Sequence, residues 1–193
     1  GSSSVAIGDK ATVNGYHGTA IGSNAKVTND RSIAIGETVV ASGYSTTVIG
    51  KESEATNTGA IAMGYKTQAQ GMNSVAIGSS HTVPGDPIAT NTVVKGENSI
   101  GIGYEVNVEA GNSVAIGADA IVKNTVDDTT GITRRASSST VVGPNAKSLG
   151  AESATALGRS AEVSADSGVA VGHYATTTGR YGSAIGYAAK ANT

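Results

Sequence analysis

Residues 4–22 read SVAIGDKATVNGYHGTAIG: a short apolar run closed by glycine, a polar stretch holding two small apolar positions, and the apolar run again. The run returns along the chain as SIAIG, TTVIG, AIAMG, SVAIG, SIGIG, SVAIG, STVVG, ATALG, GVAVG and GSAIG. Its closing glycines are Gly8, Gly22, Gly36, Gly50, Gly64, Gly78, Gly103, Gly117, Gly143, Gly158, Gly172 and Gly186, spaced by five intervals of 14, then 25, 14, 26, 15, 14 and 14. The chain is a tandem array of 14-residue units with extra segments of 11, 12 and 1 residues. Self-similarity of this kind marks a solenoid. The longer insertions are placed at 86–96 and 125–136 of a single repeat domain spanning 1–193, and both are expected to leave it at the same corner phase.

Each unit has a weaker second half. Three residues past the glycine stand Ala11, Ala25, Val39 and, in the same phase, His81; two further on stand Val13, Val27, Ala41 and Val83. Polar residues such as Lys26, Glu54, Gln68, Lys147, Glu162 and Lys190 lie between them. Small, polar, small is a period of two, which describes a strand with one wet face. Gly15, Asn29, Gly43, Asn57, Gly71 and Gly179 then mark a second corner, where a positive φ is expected. The unit thus reads strand, corner, strand, corner, coiling into a two-sheet parallel roll with about 4.8 Å between coils. A helix would need apolar residues at spacings of three and four over ten or more positions, and these runs are short, β-branched and closed by glycine.

The SVAIG strand is apolar at three successive positions, so both of its faces are built for burial. The second strand covers one of them. The other calls for a further copy of the chain in register, giving a cyclic dimer or trimer. The residues assigned to this trimer or roll core are Val5, Ile7, Ile21, Ile33, Ile35, Ile49, Ile61, Met63, Val75, Ile77, Ile102, Ile116, Val142, Leu157, Val171 and Ile185. Sequence leaves open whether they fill the roll or face the partner chains.

Composition agrees with a thin, elongated body. Among 193 residues there are 27 Gly, no Cys, no Trp and no Phe, so a compact core would rest on Ala and Val. The formal net charge of −2 carries no electrostatic footprint for nucleic acid or an anionic membrane. No apolar run reaches the length of a membrane span, and no basic segment with an apolar core opens the chain; the segment is expected to be soluble.

The tandem SVAIG units, with their x-x-[A/S]-x-[A/V]-x-[G/N] second halves, resemble the YadA-like head domain of trimeric autotransporter adhesins of Gram-negative bacteria. The resemblance covers essentially the whole chain. It implies an all-β, left-handed parallel β-roll assembled as a homotrimer, displayed at the cell surface and anchored in the outer membrane through parts absent from this chain. It also implies adhesion to a host matrix protein or a cell-surface glycan or protein. The two long insertions depart from the family pattern.

No set of side chains points to catalysis or to a metal or cofactor site. His17, His81 and His173 lie far apart at different repeat phases, and Asp127-Asp128 lacks the spacing of a calcium loop. Glu37 and Lys51, and Glu52 and Lys66, share a phase one coil apart and are expected to pair. Tyr16, Tyr44, Tyr65, Tyr104, Tyr174, Tyr181 and Tyr187 fall at or near corners. Arg134 and Arg135, in the second insertion, suit carboxylate or sulfate groups and are the candidate ligand-binding residues. The reading is a non-enzymatic adhesin head that binds through a multivalent repeat surface. The alternatives are a β-solenoid carbohydrate-active enzyme, which would need acids or a histidine in a groove, and an ice-binding solenoid, which would need a flat threonine array.

Overall fold

A computed structural model describes residues 2–80, 91–126 and 130–192. The chain winds into about twelve coils that build two 12-stranded parallel sheets. The first sheet runs from Val5–Ile7 to Ser183–Ile185 and consists of the SVAIG strands; the second runs from Thr12–Val13 to Lys190–Ala191. Each strand pairs with its counterpart one coil on, for example Ile33 with Thr47, Ala34 with Val48 and Ile35 with Ile49. Among the described residues there is no helix.

The corners stop the strands at two or three residues in most coils. At the first corner the closing glycine does two things. Gly36 has φ +139°, and a Cβ on it would lie 2.6 Å from the carbonyl oxygen of Gly50 in the next coil, so conformation and stacking both require glycine. Two residues later comes a left-handed residue such as Asn24, Thr38 or Glu52. The second corner differs from expectation. The left-handed residues there are His17, Arg31, Ser45, Gly59, Asn73 and Tyr181, two places beyond Gly15, Asn29, Gly43, Asn57, Gly71 and Gly179. Gly15 and Gly43 are needed for proximity instead, because a Cβ on either would strike the backbone of Asn29 or Asn57 one coil on.

The structure decides which face of the SVAIG strand is internal. The middle residues, Ala20, Ala34, Val48, Ala62, Ala76, Ala115, Val141, Ala156 and Ala170, are fully buried between the sheets. Opposite them the second strand contributes Ala25, Val27, Val39, Ala55, Val94, Val106, Val108, Val122 and Val163, also fully buried. Size is matched across the gap: a Cβ on Gly101 would lie 2.6 Å from Val94 and 3.3 Å from Val106. The flanking Val and Ile residues point outward. None of those assigned to a trimer or roll core is buried in its own roll; Ile33 is 38% and Ile116 37% exposed in mid-rod, and Ile7 and Ile185, at the ends, more so.

The corners are stapled by buried hydroxyls, a role not read from the sequence. Ser32 donates to the Gly43 carbonyl (2.9 Å) and accepts from the Thr46 N–H of the next coil (3.1 Å). Ser99, Ser113 and Ser139 repeat this at the same corner. At the other corner Ser53 donates to the Gly64 carbonyl, Thr67 to that of Gly78 (3.1 Å) and Thr92 to that of Gly103 (2.9 Å). Such bonds satisfy polar backbone that would otherwise be buried unpaired.

Both insertions need correcting. Val93–Val94 pairs with Gln68–Ala69 and with Asn107–Val108, so it is a regular strand of the second sheet and Lys95-Gly96 its regular corner. The first insertion therefore falls between Ser80 and Thr92, not at 86–96, and Thr92 and Val94 hold the inward positions assigned to His81 and Val83. His81, Val83 and the segment around them lie outside the described residues. The second insertion lies between Lys123 and Ala136, where Ala136 takes the regular corner place and accepts from the Ser113 hydroxyl (3.4 Å). It forms an antiparallel hairpin, Thr125–Val126 with Thr133–Arg134. The insertions thus leave the roll at opposite corners rather than at one.

Candidate functional site

Two outer surfaces run along the rod. On the first sheet the outward columns are Val, Ile, Met, Leu and Thr, with Ser183 in the last coil. On the second one column is mostly polar and charged, with Lys26, Glu54, Gln68, Asn107, Lys147, Glu162 and Lys190, interrupted by Val40, Val93 and Ile121. Only Thr12 and Thr176 place a threonine in that column, so the second sheet carries no flat threonine array. The coil-stacked charges pair as the phase predicts. Lys51 lies 3.1 Å from Glu37, and Lys66 3.5 Å from Glu52. Glu37, by hydrogen bond and charge, raises the Lys51 pKa above its ordinary value. The first pair is about half exposed and the second half-buried, and both set register more than they stabilise.

Tyr16, Tyr44, Tyr174, Tyr181, Tyr187, His17 and His173 sit at corners, while Tyr65 and Tyr104 end strands of the first sheet. Arg31 lies over the Tyr44 ring (5.7 Å), Lys66 over Tyr65 (5.4 Å) and Arg180 over Tyr181 (5.7 Å). His173 stacks on Tyr174 at 4.1 Å and meets the edge of Tyr187 at 5.6 Å, while His17 occupies the opposite corner in another coil. Among the described residues no three His, Asp or Glu side chains gather into a metal cage. Asp127 and Asp128 lie outside the described residues.

Two clefts lie near the roots of the insertions, one on the outer face of the second sheet and one along the second corner beneath the hairpin. One, of 570 Å³, is lined by Gln68, Gln70, Asn91, Glu105, Asn107 and Asp119 among others. Glu105 and Asp119 stack there on neighbouring coils, and burial first, then the Glu105 charge, raises the Asp119 pKa above the usual carboxylate range. The second cleft, of 620 Å³, lies against the hairpin and shares Lys95 with the first.

The hairpin separates the two arginines assigned to ligand binding. Arg134, paired across the hairpin with Thr125, lies over Gly150, where any Cβ would strike Thr125. Its guanidinium donates to the Ser164 carbonyl (3.2 Å), and Gly150 N–H donates to the Lys123 carbonyl (2.8 Å). Arg134 therefore clamps the hairpin to the following coils. Strand alternation turns Thr133 and Arg135 to the other face, where both line the 620 Å³ cleft. Asn124 closes the base by accepting from Ala136 N–H (3.0 Å). One-residue alternation within a strand could have shown this split, had the hairpin register been known.

Comparison with protein families gives a match to the YadA head domain repeat over residues 1–25, 14–37, 41–66, 55–80, 95–120 and 150–175. These spans cover more than half of the chain and skip both insertions. The chain belongs to the YadA head family. Among solved structures, the collagen-binding domain of the Yersinia adhesin YadA aligns with this YadA-type head at a TM-score of 0.52 and 18% identity, over 90% of this chain and 82% of that one. At that identity the match shows the shared two-sheet roll. A search of curated proteins by sequence gives no match.

Proposed function

We propose that this YadA-type head is the adhesive segment of a bacterial surface protein, working as a homotrimer that attaches to host matrix or cell-surface molecules and carries out no catalysis. The observation that supports this most is the division of the outer surface. One sheet presents an apolar column unbroken from coil to coil, including Ile35, Ile77 and Ile116, beside a second column of mainly Val, Ile and Thr, and the other presents a mostly polar column and clefts. An apolar stripe repeated in every coil suits another copy of itself, since a like stripe in register matches it along its full length. Three copies facing inward leave three polar sheets facing out, and many weak contacts then add up to avidity. The neighbouring YadA domain binds collagen, so collagen is the first ligand to try. Display at the outer membrane through other parts of a longer protein belongs to the same reading.

Two measurements test it. Light scattering at micromolar concentration should give a trimer mass, and a monomer would remove the assembly from the proposal. Binding to immobilised collagen, other matrix proteins and a glycan array should show at least one saturable partner. Signal on none of them would overturn the adhesive reading.

A further inference from the structure

The hairpin cleft gathers side chains of both charge signs on one concave surface. Lys95, Glu97, Glu109 and Arg135 all line it, and none makes an ion pair within 4.0 Å among the described residues. Lys95 and Glu109 stand in the same phase one coil apart, flanking the register pair Val94 and Val108. Glu37 and Lys51 have that same relation and close an ion pair; Lys95 and Glu109 do not. Asn112, Asn124, Thr133 and Ser137 add neutral donors and acceptors, and no aromatic ring lines the cleft. One wall is the corner ladder of the roll. The other is the face of the hairpin that carries Thr133 and Arg135, held in place by the Arg134 clamp on the far side.

We propose that this cleft binds a polypeptide segment bearing acidic and basic side chains close together. The inference rests on the adhesin reading for its biological setting and deepens it by assigning the contact site and the ligand chemistry. Charge selects the class. A sulfated or uronate glycan, or a nucleic acid, brings only negative charge and meets Glu97 and Glu109. A wholly basic peptide meets Lys95 and Arg135. A neutral sugar lacks the aromatic platform on which its face would stack. A mixed-charge peptide pairs Arg135 and Lys95 with its carboxylates and Glu97 and Glu109 with its cations, and desolvates no charge without a partner. This replaces the anion-only role assigned to the arginine doublet, since Arg134 is engaged with Ser164 and two carboxylates share the cleft with Arg135.

The test uses the full chain and synthetic peptides of four kinds: alternating Lys and Glu, Glu with Gln, Lys with Gln, and Ser with Gln. Fluorescence anisotropy should show binding of the alternating peptide alone. Arg135→Glu and Glu109→Lys should each weaken it about tenfold. Lys10→Glu, distant on the rod, should leave it unchanged, and Arg134→Ala should weaken it by loosening the hairpin. The substituted side chains are at the surface, so melting temperature and sedimentation should match the parent. Equal binding of an all-acidic peptide, no effect of Arg135→Glu, or a change of oligomeric mass in the cleft variants would overturn the proposal, the last by making the cleft a contact between subunits. Matrix binding measured in parallel separates the two claims. A parent that binds matrix equally well with and without the cleft variants overturns the cleft alone. A parent that binds the alternating peptide through the cleft but no matrix protein overturns the adhesive setting alone.

Discussion

The two sheets of this roll have the same number of strands and share one core, yet their outer faces are opposite in character. The first sheet turns out mainly Val and Ile with some Thr; the second turns out mainly Lys, Glu, Gln and Asn, with Val40, Val93 and Ile121 among them. Inside, both use the smallest side chains that exclude water, because two strands joined by tight corners leave room for little more than Ala against Val. A single coil therefore has three surfaces with distinct tolerances: a close-packed interior, an apolar exterior and a wet exterior. The same chemical change should cost very different amounts on each.

The largest effect is expected inside. Ala115→Asp places a carboxylate at a fully buried site facing the second sheet. About 3 kcal/mol or more of destabilisation is expected, seen as a broad early loss of β signal in circular dichroism. A variant as stable as the parent would mean that the interior is far looser than its size matching implies.

On the apolar exterior, Ile77→Asp is expected to separate assembly from folding. The roll encloses its own core without Ile77, so circular dichroism should stay β-rich while light scattering moves from trimer towards monomer. An unchanged mass would mean that the apolar face of the first sheet is not the contact between copies.

Removing the hairpin, residues 124–135, restores the regular coil length and should keep the fold, since a surface loop adds or removes modest entropy. Circular dichroism and sedimentation should match the parent. Loss of folding would make the Arg134 clamp part of the architecture.

The wet exterior should be nearly indifferent. Gln68→Asp is expected within about 0.5 kcal/mol of the parent. Asp119→Asn is the exception with a sign. The Asp119 pKa is raised in the folded state, so the fold binds that proton more tightly than the unfolded chain and gains stability as pH falls into the carboxylate range. At neutral pH the ionised pair with Glu105 works against the fold. Asp119→Asn should therefore stabilise by a few tenths of a kcal/mol near pH 7, with the advantage vanishing below the ordinary aspartate pKa. Thermal melts at both pH values read this directly.

Much of the architecture was legible because the repeat is strict. The glycine period, the two strands per unit and the coil-stacked Glu37–Lys51 and Glu52–Lys66 pairs all follow from spacing. The first insertion was misplaced because two stretches fit the second-strand pattern: His81-Thr82-Val83 continues the phase from the preceding glycine, and Thr92-Val93-Val94 sits at the right distance from the following one. Only in three dimensions does the Thr92 hydroxyl reach the carbonyls of Ser79 and Gly103 (3.1 and 2.9 Å), which marks it as the corner residue. The second-corner glycines were read as left-handed because composition shows where glycine is needed and not why; at Gly15 and Gly43 the reason is a neighbour's backbone. Arg134 and Arg135 looked equivalent because adjacency in sequence hides which face of a strand each side chain takes.

By itself the sequence determined the coil, its length and its two-sheet section, because a 14-residue apolar and glycine period admits one economical winding. Tertiary structure decided which face of the SVAIG strand is interior, which hydroxyls staple the coils, and that the insertions leave the roll at opposite corners. The physical reason is that an alternating strand with two apolar faces satisfies the pattern either way round. The choice is made by volume: the gap between the sheets accepts the central Ala, and the flanking Val and Ile are left to face outward.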